Sequence, residues 1–259
     1  LTQFTGNKSA YPVYMTLGNI PKALQRKPSE HTCVSYLSVD KVDATGLTDR
    51  KHRALVQQLF HSSVKMILKP LIEAGKTGID VTGGDGKVRR VHPVLASYVA
   101  DYPEQCLVTC AKYGTCSICQ CPESGLGEDA PRTPRRQIWM LDVLRKVKAK
   151  GTKGSAPFFN ACKEFNVSGY VLEPFWKDLP YTDIHMCITP DVLHQLYQGV
   201  FKHIVEWCSE LMDEKELDAR IRCLPPAYGT RHFKNGISSL SQVSGSERKD
   251  MARILLGCL

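Results

Sequence analysis

Residues 92–110, HPVLASYVADYPEQCLVTC, decide how the rest of the chain is read. A short apolar run, Pro93 to Val99, ends at Ala100-Asp101-Tyr102-Pro103. Such a run is a buried strand or a short helix, and periodicity alone does not separate the two. Read as a strand, it terminates in a carboxylate, and α/β folds gather ligand groups at strand ends. The plain alternative for Asp101 is a turn aspartate.

Upstream, residues 50–74 place Leu55, Val56, Leu59, Phe60, Val64, Ile67, Leu68, Leu71 and Ile72 at helical spacing. Pro70 is a point at which that helix kinks or ends. Residues 11–20, YPVYMTLGNI, and 32–39, TCVSYLSV, read as strands. Gly6-Asn7-Lys8-Ser9 reads as a turn, with its other strand mostly ahead of Leu1. Gly83-Gly84-Asp85-Gly86 reads as a second turn. Gly75-Lys76-Thr77 is not a phosphate loop, because position 70 is Pro where that motif needs Gly.

Downstream, five cysteines fall within sixteen residues: Cys106, Cys110, Cys116, Cys119 and Cys121. Cys116-x-x-Cys119 has the spacing of a tetrahedral zinc chelate. Cys110 and Cys121 are nearby candidates for a third ligand, and His185, Cys187 and His194 form a second group downstream. The bland reading is buried, reduced thiols. The first residues do not read as a secretory leader, so the 11 cysteines do not read as a disulfide framework.

Residues 130–153 follow, with eight basic residues against the single acid Asp142. That net +7 is nearly the whole formal charge of +8. Arg132, Arg135, Arg136, Arg145, Lys146, Lys148 and Lys150 are the candidate phosphate contacts, since clustered base gains from counterion release. A solvated charged helix is the alternative. Asp191 and His194 stand at i and i+3, a spacing for metal binding, mutual orientation or simple capping. Ser244-Gly245-Ser246-Glu247 reads as a helix cap with an acid in the first turn.

The length of 259 residues fits one elaborated domain or two small ones. No stretch approaches the roughly 18 apolar residues of a membrane span. The chain lacks an initiator Met and ends in an apolar run, so it reads as an internal fragment of a longer protein.

Four blocks in order carry a resemblance: YPVYMTLGNIPK (11–22), HPVLASYVADYPEQCLVTC (92–110) with Cys116-x-x-Cys119 behind it, TPDVLHQLYQGVFKH (189–203) and RHFKNGISSLSQVSGSERKDM (231–251). Together they resemble the Plavaka transposases of fungi, within the CACTA (EnSpm-like) group. The resemblance implies an α/β, RNase H-like core, a mixed sheet with flanking helices, interrupted by a Cys-rich, zinc-binding insertion. It implies an Asp-Asp-Glu/Asp triad holding Mg²⁺ or Mn²⁺ for strand cleavage and transfer. Asp101 matches the second acid and Glu247 is the candidate third. The first acid would lie on a strand ahead of Leu1, so the fragment alone is expected to be inactive. Asp191 with His194 matches an Asp-x-x-His element, structural or zinc-linked, with Asp191 the fallback second acid.

On this reading residues 1–105 begin the core, 106–190 are the Cys-rich and basic insertion, and 191–259 hold a helical continuation with a truncated last helix. Zn²⁺ is expected on Cys116, Cys119, Cys110 and His194. The expected partners are DNA and a second copy of the chain, with no membrane, and the expected compartment is the nucleus. The alternative is a non-catalytic, zinc-stabilised module that binds DNA or protein.

Overall fold

The computed structural model describes residues 2–4, 8–25, 27–39 and 41–259, with side chains described from residue 10 onward. Contacts divide the chain into two compact units. The first comprises Leu1–Tyr98 and Pro103–Ile188; the second comprises Val99–Tyr102 and Thr189–Leu259.

In the first unit, β1 (Thr2–Phe4), β2 (Lys8–Met15) and β3 (Thr32–Ser38) form an antiparallel sheet in the order β1-β2-β3. Thr2 faces Ala10, and Tyr11 faces Leu37. Part of the strand expected ahead of Leu1 is therefore inside the chain. Gly6 and Asn7 of the expected turn lie outside the described residues, and Lys8 and Ser9 belong to β2. The strand read over 11–20 stops at Met15, and its register with β3 shifts between Val13 and Tyr14.

The long helix Asp49–Thr77 starts where the Thr48 side chain accepts from Lys51 N at 3.3 Å. Its buried face is His61, Val64, Leu68, Ile72 and Gly75. Pro70 is exposed and does not end the helix. The stop comes at Gly78, whose φ of +76° is open to glycine. A fully exposed hairpin follows, β4 (Ile79–Thr82) with β5 (Val88–Val91).

Residues 92–110 resolve into a non-regular lead, strand β6 (Tyr98–Ala100) and helix Tyr102–Thr109. Only the end of the apolar run is extended, and Asp101 follows its last residue. β6 pairs with β7 (Ile188–Pro190). Among the described residues the strands thus form three small sheets within a mixed α/β chain.

Helix Tyr102–Thr109 ends at Cys110, whose φ of +60° turns the backbone out of the helix. A helix end leaves carbonyls without intrahelical partners. Here side chains supply them. The buried His61 ring donates from Nε2 to Leu107 O (3.0 Å), and Trp176 Nε1 donates to Val108 O (2.6 Å). The other His61 nitrogen, Nδ1, accepts from Phe175 N (3.2 Å). Around these bonds pack Val64, Leu68, Val108, Met140, Phe158, Phe175 and Trp176, the centre of the first core.

The second unit has its own core of Cys208, Leu217, Ile221, Phe233, Ile237, Met251 and Leu255. Asp218 pins its turn by accepting from Ile237 N (2.7 Å) and Ser238 N (3.1 Å). Gly236 is required beside it. Its φ is +80°, and a Cβ there would lie 2.1 Å from the Asp218 carboxyl carbon. Among the described residues no helix is long and apolar enough to cross a membrane.

The neutral His61 ring gives the fold a pH dependence. Burial lowers its pKa to about 4, against the bond to Leu107, which raises it. The unfolded chain takes up this proton near the ordinary value of about 6.5. Stability therefore falls as pH drops from about 6.5 towards 4, by up to about 3 kcal/mol from this group. Urea denaturation across that window should show the loss in the native chain and a shallower loss in His61→Asn, which should also be less stable at neutral pH. Equal slopes in the two proteins would refute the assignment.

Candidate functional site

Asp101, Asp191, His194 and Glu247 come from three distant stretches of sequence, and all lie in the second unit. Asp191 N donates to Ala100 O (3.0 Å), so Asp191 is bonded to the residue that precedes Asp101. Asp191 also opens the helix Val192–Val200, a wide helix with i→i+5 bonds, a form rare in proteins and frequent at functional sites. Pro190 ends β7 and Asp191 is the cap, so the proline sits just before the helix. The Asp191 carboxylate accepts from Leu193 N (2.9 Å) and His194 N (3.2 Å), and it pairs with the His194 ring. Burial raises its pKa, but the bonds from His194 and Leu193 outweigh that and hold it below the usual carboxylate range.

The last helix, Gly245–Ile254, meets this helix at its own start. A Cβ on Gly245 would crowd Leu193 Cδ1, the tip of a flexible side chain, so the two helices approach closely at this glycine. Ser244 and Glu247 form a reciprocal capping box: Glu247 N donates to the Ser244 hydroxyl (3.3 Å), and Ser244 N donates to Glu247 Oε2 (2.6 Å). The other carboxylate oxygen of Glu247 pairs with Arg231. The expected cap is thus present, and with Arg231 it engages both oxygens of the expected third acid.

In the first unit, the cysteine loop turns tightly on sulfur. Cys116 Sγ accepts from Ile118 N (3.4 Å) and Cys119 N (3.3 Å). Cys110 faces elsewhere. Its Sγ lies 3.9 Å from His61 Nε2, and burial pushes its thiol well up. His185 instead stands at the loop, with Nδ1 on Ser117 O at 2.9 Å. Among the described residues, no group of three or more His, Cys, Asp or Glu is gathered to hold a metal ion.

The basic stretch divides. Arg135 is fully buried (0 % exposed) and donates to Cys116 O (3.0 Å), Cys119 O (2.9 Å) and Asn166 O (3.3 Å). It therefore leaves the candidate DNA-facing set, because its guanidinium is buried inside the fold. Arg132 pairs with Glu128 (2.6 Å) and Arg136 with Asp183 (3.8 Å). Arg145, Lys146, Lys148 and Lys150 are exposed towards the end of the helix Gln137–Ala149, whose opposite face buries Met140, Val143, Leu144 and Val147. Asp142 pairs with Lys146 (2.7 Å) and Arg145 (3.8 Å), leaving an excess of positive charge on that face.

Comparison with known proteins adds one match. A family model described as Plavaka transposase matches residues 1–208. That span holds Asp101, Asp191, His194, the cysteine loop and the basic helix, and stops short of Glu247. No curated protein and no solved structure matches the chain.

The capping roles are separable by mutation. Asp191→Ala removes the acceptor of two backbone amides and should cost about 1–2 kcal/mol in urea denaturation. Glu247→Gln keeps a side-chain acceptor for Ser244 N and should stay within about 0.5 kcal/mol of the parent chain. A larger loss for Glu247→Gln than for Asp191→Ala would overturn this ordering.

Proposed function

This chain belongs to the Plavaka transposase family, and we propose that it serves DNA transposition with Asp101 as its reaction-site acid and the exposed basic helix face as a phosphate-binding surface. One observation carries the reading. The chain places Asp101 at the end of a strand and beside the cap of a wide helix, in the same compact unit as Asp191 and Glu247. The order of elements supports an RNase H-like core: an antiparallel hairpin, a third strand, a long helix and, after an exposed second hairpin, a short strand followed by an acid. A substrate of chromosomal DNA makes the nucleus the expected compartment.

Divalent metal is what the family resemblance implies for cleavage. Mg²⁺ or Mn²⁺ on carboxylates activates a water or a strand's 3′-hydroxyl and stabilises the leaving oxygen. Asp191 and Glu247 as arranged here do not fit that task. Asp191 is engaged by two amides and His194, and Glu247 by Ser244 N and Arg231. No cleavage step is assigned through a metal on these side chains. The same engagement favours a second reading, a DNA-binding module without catalysis.

The two readings part in one experiment. In an excision assay with the intact transposase, Asp101→Asn should abolish excision and leave DNA affinity unchanged. Excision at the parent level would sink the catalytic assignment and leave the binding module. Phosphate binding is read by fluorescence anisotropy of duplex DNA across a salt series. Replacing Arg145, Lys146, Lys148 and Lys150 with Ala should weaken binding uniformly across sequences. It should reduce the salt slope by about 0.9 for each phosphate no longer neutralised. An unchanged slope would move the DNA surface elsewhere.

A further inference from the structure

The helix that Asp191 caps does not stop at Val200. It runs on as Phe201–Leu211, where Phe201, Ile204, Val205 and Cys208 pack into the second core. Its apolar face is wider than that core covers. Leu196, Val200, Trp207 and Leu211 line an adjoining stripe, each more than half exposed, from 52 % at Leu196 to 90 % at Leu211. A surface helix ordinarily turns such residues inward and keeps its outer face polar. Here four large apolar side chains stand in water beside a filled core.

The stripe has the composition of an interface centre. Trp207 lies in it, with the His203 ring stacked against the indole at 6.3 Å between centroids. Tryptophan is among the residue types that dominate measured binding energies. Lys202 and Glu206 stand exposed on the same helix and pair with each other at 3.6 Å. An apolar centre with a charge-balanced rim fits a protein surface and offers nothing to a phosphate backbone.

The spacing selects the occupant. The four residues stand 4, 7 and 4 positions apart, a series that reads the same in both directions. A two-fold pair needs a surface that complements itself, so that residue i meets j and j meets i. Laid antiparallel, Leu196 of one copy meets Leu211 of the other, and Val200 meets Trp207. Each contact then occurs twice. The four side chains leave roughly 500 Å² in water on each copy, so a pair covers roughly 1,000 Å² before its rim is counted, which is the size a specific interface needs.

We propose that the chain forms a two-fold dimer by antiparallel pairing of this stripe with the same stripe of a second copy. The same helix begins at the Asp191 cap, so the dimer steadies the element on which the candidate site is built. The proposal does not depend on the DNA reading above.

Sedimentation velocity of the full chain tests it from about 1 to about 100 µM, since an interface at the low end of the size range binds in the micromolar range. The parent chain should pass from monomer to dimer across that series. Leu196→Glu and Leu211→Lys should each weaken the dimer about tenfold or more. Combined in one chain they should restore it, because each new acid then faces a new base on the other copy. A parent chain that stays monomeric, a dimer that survives Leu211→Lys, or a double variant that remains a monomer would each overturn the proposal. Urea midpoints of the variants at about 1 µM should match the parent, because these side chains are in water in the single copy. A readout without variants is the tryptophan emission of the parent chain. It should shift to the red as dilution parts the dimer, and a spectrum that ignores dissociation would place Trp207 outside the interface and refute the pairing.

Discussion

The neutral imidazole of His61 is the tie on which the first unit depends. It links the long helix, the end of helix Tyr102–Thr109 and the backbone at Phe175. Both ring nitrogens are used, one as donor and one as acceptor, so only one tautomer fits. Trp176 repeats the device one residue further on, at Val108 O. Together they satisfy carbonyls that a helix end leaves open in an apolar core, where an unpaired polar group costs about 1–3 kcal/mol. The chain can then leave the helix through Cys110 and enter the cysteine loop.

The second unit meets the same constraint with acids. Its wide helix and its last helix each need an acceptor for the first-turn amides. Asp191 supplies one and Ser244 with Glu247 the other. A carboxylate at a helix start is favoured by the local dipole in any protein. This is why residues in line for metal chemistry also serve as caps, and why the sequence pattern alone does not separate the two roles.

The cysteine loop depends on a buried cation. Arg135 binds two carbonyls of the turn through one nitrogen, so it holds the turn closed as well as facing its sulfurs. The basic stretch therefore has two characters. Arg135 is part of the inner structure, while the lysines towards the end of the same segment stay in water. A charge count along the sequence treats them alike.

Much of the fold was legible from local rules. The long helix, the Gly83–Gly86 turn and the cap at Ser244 follow from periodicity and capping over spans of a few residues. These rules worked because the interactions behind them join residues at most four apart in a helix or paired across a short hairpin. The family resemblance, too, was carried by ordered local blocks. Only tertiary structure showed that Pro70 lies on an exposed helix face and that the helix continues through it. Only it placed His185 at the Cys116–Cys119 turn and the Cys110 sulfur beside His61, and only it buried Arg135. Those outcomes depend on contacts between residues 19 to 68 positions apart, such as Cys116 with Arg135 and Ser117 with His185. The sequence by itself determined which groups carry charge, thiol or imidazole. The assembled core decided which of them lose their water, because desolvation arises from packing and has no local pattern.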